Sequence, residues 1–197
     1  MLARAALVAG TGLAVGALTS AGQAYLNSPW LSLVNSASPW LVPMFALGAG
    51  WRRPGAAALA GAAAGLAELA GYYVTAALRG YPAGQAILAF WAACAVLGGP
   101  VLGVAGWAWR YGRTTRVSGP AAAALPAAFL AEAGVSYDWR LHYFSSAILL
   151  AALGVAAFAI TGWRGRRYRP AGAWLPAALA AGAAAELLLG LVYSQAF

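Results

Sequence analysis

Apolar runs of about 20 residues, separated by breaks of only a few residues, fill this chain almost from end to end. A run of that length spans the hydrocarbon core of a bilayer as a helix, and in lipid only helices and closed barrels satisfy every backbone polar group. The runs lie at about 5 to 25, 31 to 51, 55 to 78, 84 to 109, 119 to 136, 143 to 163 and 171 to 194. They predict an all-α, seven-transmembrane bundle in one transmembrane domain covering 1–197, multi-pass in the cell membrane, with the lipid bilayer as its main partner. With 63% of 197 residues apolar and 8% charged, too little polar surface exists to clothe a soluble domain. The stretch from Arg4 to Gly22, ending in Ser20-Ala21-Gly22-Gln23-Ala24, has the look of a secretory leader. It is expected to be retained as the first membrane helix.

The net charge of +8 does not point to nucleic acid. Every basic residue is an arginine, and nearly all stand in the breaks, where they act as topology signals. Arg4, Arg52, Arg53, Arg110, Arg113, Arg116, Arg164, Arg166, Arg167 and Arg169 fall on one side, and Arg79 and Arg140 on the other. The arginine-rich side is therefore expected in the cytoplasm together with the amino terminus, and the carboxyl terminus outside. An internal repeat supports the alternation. The second, fourth and sixth runs end in Gly50-Trp51-Arg52, Gly106-Trp107-Ala108-Trp109-Arg110 and Gly162-Trp163-Arg164. Each is an interfacial tryptophan followed by an arginine anchor. The odd-numbered runs carry a polar residue followed by tyrosine in their outer halves: Gln23 with Tyr25, Glu68 with Tyr72 and Tyr73, Glu132 with Tyr137, and Glu186 with Tyr193. The reading is three helical hairpins in parallel relation plus one extra helix.

Three of the four acids, Glu68, Glu132 and Glu186, lie within apolar runs. Acids at membrane depth are costly and mark function by default. At about 1.5 Å per residue, Glu68 stands roughly 20 Å from the cytoplasmic start of its run, and Glu186 a little further. The three are expected to line one outward-facing cavity. No arginine is expected at their depth, so burial without a cationic partner disfavours the ionised form and at least one is expected to be a neutral acid. Such a group donates a proton, carries one, or awaits a cation. The bland alternative is hydrogen bonding between helices or at the headgroups, and it weighs most for Glu132, close to a helix end.

Aromatic residues form the second constellation. Trp51, Trp107, Trp109, Trp163 and Trp30 read as interfacial belts. Trp40, Tyr72, Tyr73, Phe90, Trp91, Tyr143 and Phe144 instead gather at the level of the acids, where ring faces stabilise a cation or carbocation by about 0.5–2 kcal/mol each when desolvated. The outer loop contributes Tyr137, Asp138, Arg140 and the single histidine, His142; Asp138 and Arg140 are expected to pair. Asn27, Asn35 and Ser36 are candidates to orient a polar group of a ligand. Pro43, Pro100, Pro126 and Pro176 fall inside runs.

Much chemistry is excluded. There is no lysine for a Schiff base, and one histidine and one cysteine (Cys94) cannot build a haem, zinc or disulfide framework. P-loop, Rossmann and G-x-S-x-G patterns are absent, as is an aspartate-rich magnesium-diphosphate motif. No cofactor and no metal is expected, and any catalysis is expected to be acid–base.

The run from Asn35-Ser36 to Trp40, Glu68 with Gly71-Tyr72-Tyr73, Phe90-Trp91 and Gly99-Pro100 resemble a family of small actinobacterial membrane proteins of undefined function. The short loops and isolated membrane acids also resemble the integral membrane terpene cyclases of meroterpenoid and indole-sesquiterpenoid pathways. That second resemblance implies a carboxylic acid that protonates an alkene or epoxide of a prenylated substrate, after which the cation cyclises between aromatic walls. Glu68 would be the first candidate donor, with Glu186 and Glu132 as alternatives. Trp40, Tyr72, Tyr73 and Trp91 would form the wall. A binding or transport protein for an organic cation or vitamin-like molecule, and a purely structural membrane protein, are the competing expectations.

Overall fold

The computed structural model describes residues 2–164 and 166–196, with side chains described as far as Val192. These residues build helices α1 (Leu2–Gly22), α2 (Ser32–Asn35), α3 (Ser38–Gly48), α4 (Pro54–Leu78), α5 (Gln85–Tyr111), α6 (Thr115–Glu132), α7 (Phe144–Trp163) and α8 (Tyr168–Ala196). A π-helical stretch, Ala133–Arg140, prolongs α6. The chain forms two compact units, one of residues 1–27 and 33–111, the other of 28–32 and 112–197.

In the first unit α4 is the central helix, packed by α1, α3 and α5. It starts cleanly because Arg53 is extended and Pro54 occupies the first helical position, where a missing N–H costs nothing. It stops at Gly80, whose φ of +87° admits the left-handed cap. The amides of Gly80 and Tyr81 then bond back to Ala77 and Ala76. α4 and α5 make an antiparallel hairpin held by small residues. Gly103 lies on Ala57, Gly99 on Gly61 and Ala95 beside Gly65, and a Cβ on Gly61, Gly99 or Gly103 would run into the facing backbone. α1 runs parallel to α4: Gly12 faces Ala64 and Ala67, and Gly16 faces the backbone of Glu68 and Tyr72.

The two ends of this unit are chemically opposite. At one, Arg4 donates to the Gly50 carbonyl at 3.4 Å and lies 5.7 Å from the Trp51 ring centre, Arg110 donates to the Ala49 carbonyl at 3.4 Å, and Trp107 donates to the Arg52 carbonyl at 3.0 Å. At the other, Arg79 donates to the Ser20 carbonyl. The start of α1, the end of α3, the start of α4 and the end of α5 thus meet at one arginine end, so these helices alternate in direction as the arginine pattern requires.

In the second unit α6 takes the centre, against α7 and α8. α8 is parallel to it, with Gly119 against Pro170 and Trp174, and Gly182 against Ala127 and Ala131. α7 is antiparallel, with Gly154 against Phe129 and Leu130 and the Thr161 hydroxyl donating to the Ala122 carbonyl at 2.7 Å. Phe129, Ala133, Tyr137, Ala147 and Leu150 form its apolar core. Arg167 donates to the Gly112 carbonyl at 3.2 Å, at the end where the α7 to α8 connection also carries Arg164 and Arg166 and the first turn of α8 carries Arg169.

Among the described residues five helices, not seven, are long and apolar enough to cross a membrane: α1, α4, α5, α7 and α8. The expected span at 31 to 51 is broken into α2 and α3, and the 11 residues of α3 reach only about 17 Å at 1.5 Å per residue. The expected span at 119 to 136 is helical throughout, yet α6 contains Arg116, Ser118 and two prolines and is not apolar enough. The reason is its position. Eleven of its 18 residues are buried, so it meets other helices rather than solvent or lipid, and a helix facing protein does not need an apolar surface all round.

Candidate functional site

Glu68 stands in the third quarter of α4, between the face that α1 covers and the face that α3 covers. Ala67 and Gly71 touch α1 through Gly12 and Leu13, whereas Gly65 lies against Met44 of α3 and Tyr72 against Trp40. The residue is 0% exposed, and neither carboxyl oxygen has a hydrogen-bond partner among the described residues. A buried polar group without a partner costs roughly 1–3 kcal/mol, and an isolated buried charge far more. Glu68 is therefore held as a carboxylic acid or stands ready for a group that the folded chain alone does not supply. The fold makes room for it with glycine. A Cβ on Gly16 would collide with the Glu68 carbonyl, and one on Gly65 would meet the Met44 methyl at 2.6 Å.

One turn further along α4 the surroundings become aromatic and then polar. Trp40 and Tyr72 have ring centres 5.6 Å apart, and Tyr72 and Tyr73 meet edge to face at 5.0 Å. The Tyr72 hydroxyl donates to Oε1 of Gln23 at 3.0 Å, and Nε2 of Gln23 donates to Oδ1 of Asn35 at 2.6 Å. Thr19, Ser20, Ser36 and Ser38 are buried at the same end of the unit. Of the expected pocket wall, the structure thus joins Trp40, Tyr72, Tyr73 and Asn35 near Glu68. Phe90 and Trp91 pair with each other at 5.0 Å on α5.

Glu132 and Glu186 belong to the second unit, where they act as a pair. The Ser136 hydroxyl, on the π-helical stretch, donates to Oε2 of Glu186 at 2.5 Å. Glu132, only 4% exposed at the end of α6, and Arg140 both lie within electrostatic reach of Glu186. The expectation that no arginine approaches the acids is corrected here: the π-helical stretch swings Arg140 back over α8, where its guanidinium lies against Gly190. The extra residue per turn of a π-helix changes which side chains face α8, and no pattern of apolar residues announces it.

The remaining loop candidates sit at this same end. Tyr137 is buried in the core, and its carbonyl accepts the Tyr143 amide at 2.8 Å. The Asp138 carbonyl accepts from Nδ1 of His142 at 3.1 Å, and His142 adopts a φ of +56°, uncommon for a residue with a side chain. An open groove of about 460 Å³, lined by Leu130, Asp138, Phe144 and Ile148 among others, runs between the end of α6 and α7. Tyr193, expected to accompany Glu186, has its side chain outside the described residues.

Sequence reasoning passed over two residues that matter at the first site. Gln23 was noticed as a polar residue of the first run but not as the partner of Tyr72, and Met44 was not noticed at all. The spacing of Gln23 and Asn35 about a short connection carried the signal for the former. No cluster of histidine, cysteine and acidic residues able to hold a metal occurs among the described residues. A family model described as a family of unknown function (DUF6518) matches residues 1–194. No curated protein and no solved structure matches the chain.

Proposed function

We propose that this chain, which belongs to the family of unknown function DUF6518, is an integral membrane terpene cyclase in which Glu68 is the proton donor. The observation that carries the reading is the fully buried Glu68 carboxyl, without a hydrogen-bond partner among the described residues, one helical turn from the Trp40–Tyr72–Tyr73 cluster. A neutral acid in a water-poor site is the species needed to protonate an alkene or epoxide. Ring faces beside it favour the cation that follows. The proton leaves the Glu68 oxygen for a substrate carbon or the epoxide oxygen. The cyclised cation returns a proton to a base, so product and substrate have equal mass.

The substrate is a prenylated or other polyolefinic molecule that enters from the bilayer. It would lie where α3 covers α4, displacing the Met44 side chain, which is unbranched and easily repacked. Glu132 and Glu186 have hydrogen-bonding and charged neighbours, which suits a structural or secondary role better than proton donation. The protein sits in the cell membrane with its arginine ends in the cytoplasm. Purified protein in detergent or nanodiscs, offered a panel of prenylated aromatics and their epoxides, is expected to yield cyclic isomers. Glu68→Gln is expected to lower that rate by at least 100-fold while Glu186→Gln retains it. Equal loss in both variants would remove the assignment.

The same acid beside the same rings also suits an organic cation. Saturable binding of such a cation, returned chemically unchanged and lost in Glu68→Gln, would select the binding or transport reading instead.

A further inference from the structure

Among the described residues, the buried polar side chains that accompany Glu68 in the first unit, Thr19, Ser20, Ser36 and Ser38, lie on one side of it. Towards the arginine end, Val8, Met44, Ala60 and Ala64 make an apolar cluster, with Leu41, Leu47, Trp51 and Leu102 packed against it. Towards the opposite end stand the Tyr72 hydroxyl, the Gln23 and Asn35 amides, and the buried Thr19, Ser20, Ser36 and Ser38. Asn35 and Gln23 are near the chain's turn between α1 and α3, where Gln23 is partly exposed and Asn35 exposed. A proton that reaches Glu68 from water therefore meets an unbroken apolar plug from one end and a run of hydroxyls and amides from the other.

We infer that Glu68 exchanges its proton with water that enters from the end opposite Arg4 and Arg110, where Arg79 also lies on Ser20, and that this water is ordered by the Tyr72 hydroxyl, which Gln23 and Asn35 hold in place. The inference rests on the reading of Glu68 as a carboxylic acid and adds the direction from which it is recharged. Tyr72 orders the water that exchanges the proton and keeps its own hydrogen. Its own hydrogen is committed to Gln23, which leaves its oxygen lone pairs free to accept from the inner side. Gln23 and Asn35 are positioning residues: amides do not relay protons readily, but their bond fixes which way the tyrosine hydroxyl points. Glu68 and Tyr72 are four residues apart on one helix, about 6 Å along the axis. Water entering between them finds partners in the surrounding hydroxyls, the condition a buried water needs. In one exchange the carboxyl hydroxyl gives its proton to the entering water as that water gives one of its own to the other carboxyl oxygen, so acid and water are both restored and no net charge moves.

Infrared spectroscopy of the protein in nanodiscs tests this without any substrate. The carbonyl stretch of a protonated carboxyl that disappears in Glu68→Gln identifies the acid, and its shift on transfer to deuterium oxide times the exchange. Tyr72→Phe removes only the hydroxyl and keeps the ring against Trp40 and Tyr73, so its fold is preserved even where Gln23→Leu disturbs the loop. Exchange is expected to slow at least 10-fold in Tyr72→Phe and in a folded Gln23→Leu. Exchange in Tyr72→Phe as fast as in the wild type, or faster, overturns the inference and leaves the acid reading intact. A spectrum with no Glu68-dependent protonated band overturns the acid reading itself, and the inference with it.

Discussion

At the scale of single residues, Glu68 is the feature that stability alone does not explain. Both its oxygens are buried and unbonded among the described residues, so an apolar residue of similar volume should fit better. Glu68→Leu is expected to raise stability by about 1–3 kcal/mol, seen as a higher denaturation midpoint in detergent, and to abolish turnover. A midpoint that falls would mean that the carboxyl is satisfied by an interaction in the folded protein. Ser136 is the contrasting case. Its hydroxyl donates to Glu186 at 2.5 Å, and Ser136→Ala is expected to cost about 1 kcal/mol without touching any activity that depends on Glu68.

At the scale of helices, small residues set the spacing on which the site depends. Gly16 lies on the backbone of Glu68 and Tyr72, and Gly61 lies on Gly99. A side chain at either position must push two helices apart. Gly16→Leu is expected to destabilise the protein by about 1–3 kcal/mol and to lower any Glu68-dependent activity further than the stability loss accounts for, because Gln23 directly follows α1. Thermal melts read together with turnover separate the two effects. The helices themselves were largely legible in the sequence, since apolar runs near 20 residues and the Gly-Trp-Arg endings mark real helix ends at Gly48, Tyr111 and Trp163. Residues 31–51 were misread as one span because composition does not show where a connection such as Ser36-Ala37 interrupts a helix. α6 was misread because a helix surrounded by protein obeys packing rather than lipid solubility. The site was legible in its parts, Glu68, Tyr72, Trp40 and Asn35. Their joining through Gln23, and the capture of Glu186 by Ser136 and Arg140, depend on rotation about helix axes that residue types do not reveal.

At the scale of the whole molecule, each unit contains the same arrangement: two parallel helices in contact, joined through an antiparallel one. In the first unit these are α1, α3 and α4; in the second, α6, α7 and α8. In both, the last helix follows a Gly-Trp-Arg ending, has a proline in its first turn and carries a glutamate in its far half: Pro54 and Glu68, Pro170 and Glu186. The correspondence explains why all the arginines but Arg79 and Arg140 keep to one end of each unit. It also gives a topology test. In a chain with Cys94→Ala, a cysteine placed by Ala83→Cys is expected to react with a membrane-impermeant maleimide added to whole cells, and one placed by Gly112→Cys only after lysis. The reverse labelling would invert the assignment made from arginine counts.

The buried, moderately polar α6 bears on how the chain is made. A ribosome delivers helices to the membrane one after another, and a segment with Arg116, Ser118 and Glu132 partitions poorly into lipid by itself. It is expected to wait at the insertion machinery until α7 arrives to shield it. Chains truncated after residue 140 should therefore leave α6 extractable by alkali, whereas chains ending after Trp163 should not. Biogenesis of the second half would then be an act of joint insertion, with α7 serving as escort.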